Sequence, residues 1–129
     1  MCGIYAIYSK NVNNNNIIEL KDGMKKLQHR GKDSYGIAMQ IQNNILSIKR
    51  KGEIKNSTLN NLKDTKCSSC VGHLRYSTSG HSSNLGKLIQ NEIQPLRGSI
   101  NNIQYALTHN GNIPNVKGHD TTYINNKLM

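Results

Sequence analysis

The chain contains neither Trp nor Phe, and six Tyr supply all of its aromatic bulk. Hydrophobic residues fill 35% of its 129 positions. A chain of this length can bury one modest core, but Ile, Leu, Met and Tyr must fill it. Acidic residues are scarce as well: 7 Asp+Glu face 17 Lys+Arg, for a net charge of +10. Such a balance raises affinity for phosphate-bearing partners in general. The cations are scattered, apart from Lys49-Arg50-Lys51, and no aromatics interleave with them as a nucleic-acid platform would need. Lys and Asn abound throughout, including the run Asn13 to Asn16, which is the signature of a biased base composition. Nucleic acid is therefore not an expected partner. No apolar run approaches the roughly 18 residues that a bilayer span requires. No charged segment leads into an apolar run of a secretory type either. Three Cys cannot all pair. These absences lead us to expect a cytoplasmic protein with no membrane contact.

What is present is organised as one domain, residues 1–129, without internal repeat or clear boundary. Residues 2–8 read as a buried strand. Asn13 to Asn16 form a polar loop with an N-cap at its end. Ile17, Leu20, Met24 and Leu27 recur at helical spacing, which predicts an amphipathic helix over 17–28 with a stop at Gly31. Tyr35 to Ile41 and Ile45 to Ile48 flank the turn residues Gln42-Asn43-Asn44, the pattern of a hairpin. Leu59 and Leu62 mark a short helix in a polar stretch. Cys70 to Tyr76 and Ile103 to Leu107 read as further strands, the first followed by a Ser/Gly-rich loop from Ser77 to Gly86. Strands outnumber helices, so the class is α+β with mainly antiparallel sheets.

Cys2 is the first residue with chemistry in it. Removal of Met1, favoured when the second residue is small, would leave a thiol and an α-amine on one carbon. The amine has an ordinary pKa of about 7.7–8 and the thiol one of about 8.5. Near neutral pH the free amine can take the thiol proton, so base and nucleophile belong to one residue. By itself a small Cys in a first strand is equally well a core residue.

Four segments in one order change that balance: Met1-Cys2-Gly3-Ile4, Leu27-Gln28-His29-Arg30-Gly31-Lys32-Asp33-Ser34, Gly72-His73-Leu74-Arg75-Tyr76-Ser77-Thr78-Ser79-Gly80, and Thr108-His109-Asn110-Gly111-Asn112. Together they closely resemble the glutaminase domain of class II glutamine amidotransferases, over the chain up to about residue 115. The wording at 28–34 and 75–80 looks most like the amidophosphoribosyltransferase branch, a family of purine biosynthesis, and Gln94-Pro95 falls where that branch has it. The resemblance implies an N-terminal-nucleophile fold, an αββα sandwich of antiparallel sheets, and glutamine as substrate. It implies Cys2 as nucleophile, forming a thioester and releasing ammonia. It assigns oxyanion stabilisation to the Asn110 side-chain amide and the Gly111 N–H. Arg75 would hold the α-carboxylate of glutamine through paired hydrogen bonds, and Thr78 would lie on a closing loop. His29-Arg30-Gly31 would support the nucleophile, and His73 and His109 would serve as structural hydrogen-bonding groups. No cofactor or metal is implied; Cys67 and Cys70 form a lone C-x-x-C without a second ligand pair.

The resemblance also has gaps. The family holds the glutamine α-ammonium with an Asp in a string like Asp120-Thr121-Thr122, but Asp120 follows Asn110 more closely than the family spacing. The sandwich is expected to be incomplete, lacking further strands, the second helical layer and a phosphoribosyl-transfer domain; an acceptor subunit or a second copy would cover the open face. Two readings result. One is a glutaminase that releases ammonia and glutamate. The other is an inactive remnant or a glutamine-binding module. Asn110-Gly111 taken alone is also the strongest hairpin-turn dipeptide.

Overall fold

Alternation along Gly3–Asn13 builds the first strand, β1, with Gly3, Tyr5 and Ile7 turned inward and Ile4, Ala6 and Tyr8 exposed. The computed structural model describes residues 1–13, 15–76, 92–116 and 120–129. Strands β2 (Ser34–Ile41), β3 (Asn44–Lys51) and β4 (Cys67–Arg75) join β1 in an antiparallel sheet of order β1-β4-β2-β3. β1 is thus an edge strand buried on one side, whereas the sequence predicts it buried throughout. The central β2 is buried from Ser34 to Met39. Gln42, at a φ of 55°, turns the β2–β3 hairpin as its polar turn residues predict.

Helix α1 (Asn15–Lys26) lies on the inward face and buries Ile17, Leu20 and Met24, the spacing legible in the sequence. Asn13 Oδ1 accepts the Asn16 N–H at 3.0 Å, a cap for one of the first unpaired donors. The Asn16 side chain donates to Ser9 Oγ at 2.7 Å and to the Cys67 carbonyl at 2.8 Å, which ties the helix start to β1 and β4. Tyr35, Ile37, Met39, Ile54, Leu59, Cys67, Cys70 and Leu74 complete this core. The helix ends at Lys26, and a 3₁₀ turn (Gln28–Arg30) follows.

Gly31 ends the helical stretch, as its position predicts, in ordinary extended backbone at a φ of −166°, where left-handed freedom is not needed. Its glycine identity has a different cause. A Cβ there would sit 2.7 Å from the Leu74 carbonyl carbon and oxygen and from the Arg75 carbonyl carbon. The turn after α1 can press against the end of β4 because residue 31 has no side chain.

The second sheet is a hairpin of β5 (Leu96–Ile100) and β6 (Ile103–Leu107). Its turn is Asn101-Asn102, at φ values of 48° and 65°, the doubly positive pair that hairpin twist favours. β5 is absent from the sequence-based expectation. Helix α2 (Asp120–Leu128) packs on β5, with Tyr105 OH donating to Asn125 Oδ1 at 3.0 Å. One short helix thus stands where the sequence leads us to expect the second helical layer to be lacking, and the sandwich is partial. The β5–β6 hairpin lies across the sheet face opposite α1, because Gly36 faces His73 in the register while Gly72 faces Ile37. Gln94, leading into β5, crosses directly over Gly36. The layers therefore run α1, four-stranded sheet, two-stranded sheet, α2: an α+β fold with antiparallel sheets. Between the sheets an open cleft of about 740 Å³ is floored by Ala6, Ala38 and Val71 and walled by Ile103 and Ala106.

Replacing Gly31 by Ala must push two backbone segments apart. We expect Gly31→Ala to lower unfolding free energy by about 1–3 kcal/mol, the usual cost of overpacking. Urea denaturation checks this as a lower midpoint at unchanged slope.

Candidate active site

The carbonyl oxygen of Cys2 is where the motif segments meet. Arg30 donates to it through Nε at 3.2 Å, and Asn110 through Nδ2 at 3.1 Å. Residues 2, 30 and 110 are thus brought together from β1's start, the 3₁₀ turn and the segment after β6. The Cys2 thiol is free and half-buried, while Met1 is 79% exposed.

Each of these residues is held by local structure. Gln28 Oε1 accepts the Ile54 N–H at 2.9 Å and its Nε2 donates to the Gly31 carbonyl at 2.6 Å, so the turn carrying Arg30 is fixed at both ends. Asp33 N–H donates to the Arg75 carbonyl at 3.1 Å, which locks that turn to the end of β4. Continuing the β1–β4 register past the Gly3–Leu74 pair sets Cys2 beside Arg75 on one face. Arg75 forms an ion pair with Glu92, Nη2 to Oε2 at 3.2 Å, and the two side chains are only 18% and 16% exposed. It is not the surface pair that a strand-end arginine would ordinarily make. Nothing in the sequence singled out Glu92.

Asn110-Gly111 follows β6 in a bend and is not a hairpin turn. Gly111 does not adopt the left-handed backbone; a Cβ on it would lie 2.9 Å from His109 Nε2, so its glycine makes room for that ring. Gln94 Oε1 accepts from the His109 N–H at 2.6 Å and from Thr108 Oγ1 at 3.1 Å, just before Asn110. Asp120 Oδ2 accepts the Ile113 N–H at 2.7 Å, at the N-terminus of α2. The carboxylate thereby anchors the segment that carries Asn110. Thr78 lies outside the described residues.

No family model matches the sequence. Curated relatives do. The chain is 39% identical over 121 residues to an amidophosphoribosyltransferase of Methanocaldococcus jannaschii, covering 89% of this chain and 23% of the relative. It is 33% identical over 121 residues to the Staphylococcus aureus enzyme of that name, covering 90% of this chain and 22% of the relative. The fold superposes on the B. subtilis glutamine phosphoribosylpyrophosphate amidotransferase, solved with ADP and GMP, at a TM-score of 0.59 and 26% identity; the match covers 85% of this chain and 22% of that one.

The chain is homologous to the glutaminase domain of amidophosphoribosyltransferases.

The similarity runs over about nine tenths of this chain, which spans under a quarter of the length of these relatives. Cys67 and Cys70 are buried free thiols, and Cys70 donates to the Asn16 carbonyl at 3.7 Å. Burial, with Cys67 next to it, pushes the Cys70 thiol up to about 12, so it stays protonated and unreactive. Among the described residues no group of three or more His, Cys, Asp and Glu is placed to hold a metal ion. No described helix is long and apolar enough to cross a membrane.

His73 departs from its expected role as a structural hydrogen-bonding group. It is 1% exposed, and neither ring nitrogen has a hydrogen-bond partner among the described residues. Burial first, then the positive charge of Arg75 and the neighbouring His109, hold its pKa down to about 4. The fold therefore keeps this imidazole neutral, while the unfolded chain protonates it near the ordinary value of about 6.5. As pH falls through the window from 6.5 to 4, the unfolded state binds the proton first, and stability is lost. We expect on the order of 3 kcal/mol to be lost across that window. His73→Met should flatten the slope of stability against pH there, as read by denaturation at several pH values.

Proposed function

We propose that residues 1–129 act as one glutaminase domain that hydrolyses the side-chain amide of glutamine through Cys2. The observation that supports this reading is the convergence of Asn110 and Arg30 on the main-chain carbonyl of Cys2, which brings an amide donor into the same residue's neighbourhood as the proposed nucleophilic thiol. Removal of the exposed Met1 frees the Cys2 α-amine, which takes the thiol proton. The sulfur then attacks the amide carbon, and the carbonyl electrons move to oxygen. Asn110 has a second N–H besides the one bonded to Cys2; with the Gly111 N–H it can hold that oxyanion. Collapse expels ammonia, which carries away the proton held by the amine, and leaves a thioester. Water adds to the thioester with the amine again as base, releasing glutamate and restoring the thiol.

Arg75 supplies the carboxylate recognition in this reading. Its guanidinium has five N–H donors, so the contact to Glu92 leaves donors for a substrate carboxylate. Asp120 would meet the α-ammonium through its remaining acceptor capacity, beside the bond to Ile113. A free Cys2 thiol points to a reducing, cytoplasmic setting. An acceptor for the ammonia would belong to another domain or chain. The Arg75–Glu92 pair favours a second reading, an inactive remnant, since a protein carboxylate already stands at the arginine and would compete with that of glutamine.

Labelling with 6-diazo-5-oxo-norleucine followed by intact-mass analysis separates the two. We expect loss of Met1, a single adduct on Cys2, protection by excess glutamine, and no adduct or ammonia release in Cys2→Ala. Retained Met1, or folded protein that takes no label, would overturn the enzymatic reading. Arg75→Lys should raise KM for glutamine strongly; an unchanged KM in ammonia-release assays would remove Arg75 from the pocket.

A further inference from the structure

We infer that Gln94 is a positioning residue for the Asn110–Gly111 oxyanion donors, an inference that rests on the glutaminase reading above. Gln94 stands between two fixed objects. Behind it, its own backbone carbonyl lies over Gly36 so closely that a Cβ there would sit 2.0 Å from the Gln94 oxygen and 3.2 Å from Pro95 Cδ. Its chain neighbours Ile93 and Pro95 are fully buried. The main chain at 94 is therefore packed closely against β2. Ahead of it, the side-chain oxygen accepts from the His109 N–H at 2.6 Å and the Thr108 hydroxyl at 3.1 Å. The next residue is Asn110, whose side chain reaches the Cys2 carbonyl at 3.1 Å.

These contacts form one mechanical path: β2, the Gln94 main chain, its side-chain oxygen, the His109 N–H, Asn110, Cys2. The chain direct from β6 to Asn110 offers no such restraint, because Leu107 is the last residue of the strand and Thr108 to Asn110 lie outside any helix or strand. Register with Cys2 has to come from a side chain reaching in from elsewhere, and Gln94 is placed to supply it. An amide oxygen suits this task, since it can accept both a backbone N–H and a hydroxyl. A displacement of the donors by about 1 Å suffices to cost about 10²-fold in rate. Gln94 touches neither the proposed nucleophile nor its carbonyl, so its effect is on geometry.

The test uses Met1-processed chain with Gln94→Met, which keeps length and removes the amide acceptor, and Gln94→Glu, which keeps an acceptor oxygen. We expect Gln94→Met to lower kcat for ammonia release by about 10²-fold while KM stays within about 3-fold. Gln94→Glu should recover most of that loss. Alkylation of Cys2 by iodoacetamide, which displaces iodide without an oxyanion, should proceed at the wild-type rate in both. A general structural defect would slow alkylation as well and would overturn the inference, as would an unchanged kcat in Gln94→Met. If Gln94→Met fails to fold, Thr108→Val removes only the hydroxyl bond. A kcat loss at unchanged alkylation then supports the inference, and an unchanged kcat overturns it. A wild-type chain that takes no diazo-oxo-norleucine label removes the glutaminase reading and this inference together. A labelled wild type with an unaffected Gln94→Met removes the inference alone.

Discussion

The shared acceptor at Cys2 is the contact on which the arrangement depends. A carbonyl oxygen has two lone pairs, and here each is met by a side chain from a different part of the chain, Arg30 and Asn110. Neither donor could reach it if its carrier moved independently. Arg30 rides on a turn held by Gln28 and by the Asp33–Arg75 backbone bond. Asn110 rides on a segment held by Gln94 on one side and by Asp120, through Ile113, on the other. A net bond is worth only about 1 kcal/mol, so the two bonds contribute little to stability. Their consequence is geometric: the first residues of the chain are pinned both to the turn after α1 and to the segment after β6.

Close backbone approach makes the pinning possible. At Gly31 the turn after α1 lies against the carbonyl end of β4, and at Gly36 the Gln94 carbonyl crosses β2. Both are glycines in which conformational freedom is irrelevant and absence of volume decides. They bring two loops to opposite ends of one short stretch of sheet, where β2 and β4 pair from Ser34–Arg75 to Gly36–His73. The same stretch buries His73 and Ser34 without hydrogen-bond partners among the described residues. Polar side chains left in this state lower stability, and here they sit at the candidate site while the well-packed core lies on the other side of the sheet.

That division explains what could be read in advance. The α1 face was legible because Ile17, Leu20 and Met24 repeat at the helical period, and the β2–β3 hairpin because its turn residues are polar and its flanks apolar. The motif segments around Cys2, Arg30, Arg75 and Asn110 were legible because four of them stand together in the order and wording of the amidotransferases they resemble. β5 was not legible. Leu96-Arg97-Gly98-Ser99-Ile100 lacks a clean alternation, and its hairpin turn is two asparagines in a chain where asparagine is everywhere. Helix α2 was hidden for the same reason, since only Thr121 and Asn125 bury and both are polar. The Gly31 stop was legible, but the reason for its glycine was not, because sequence shows that a side chain is absent without showing which clash its presence would cause. Glu92 carries no local pattern at all; its importance comes from tertiary placement beside Arg75.

The Arg75–Glu92 pair sets a condition on any ligand at this site. Both side chains are mostly withdrawn from water, so the desolvation cost of the guanidinium is already met within the fold. A ligand carboxylate that shares Arg75 gains a charge-assisted bond without burying a new cation. It also brings a second negative charge near Glu92, which costs more as the surroundings become less polar. The balance improves if a cation arrives with the ligand. An amino acid does this, since its α-ammonium lies one carbon from its α-carboxylate and offsets the added charge. A simple dicarboxylate lacks that compensation. In the glutaminase reading proposed above, the ion pair would discriminate by net charge as well as by shape, favouring a zwitterion over an anion at the arginine.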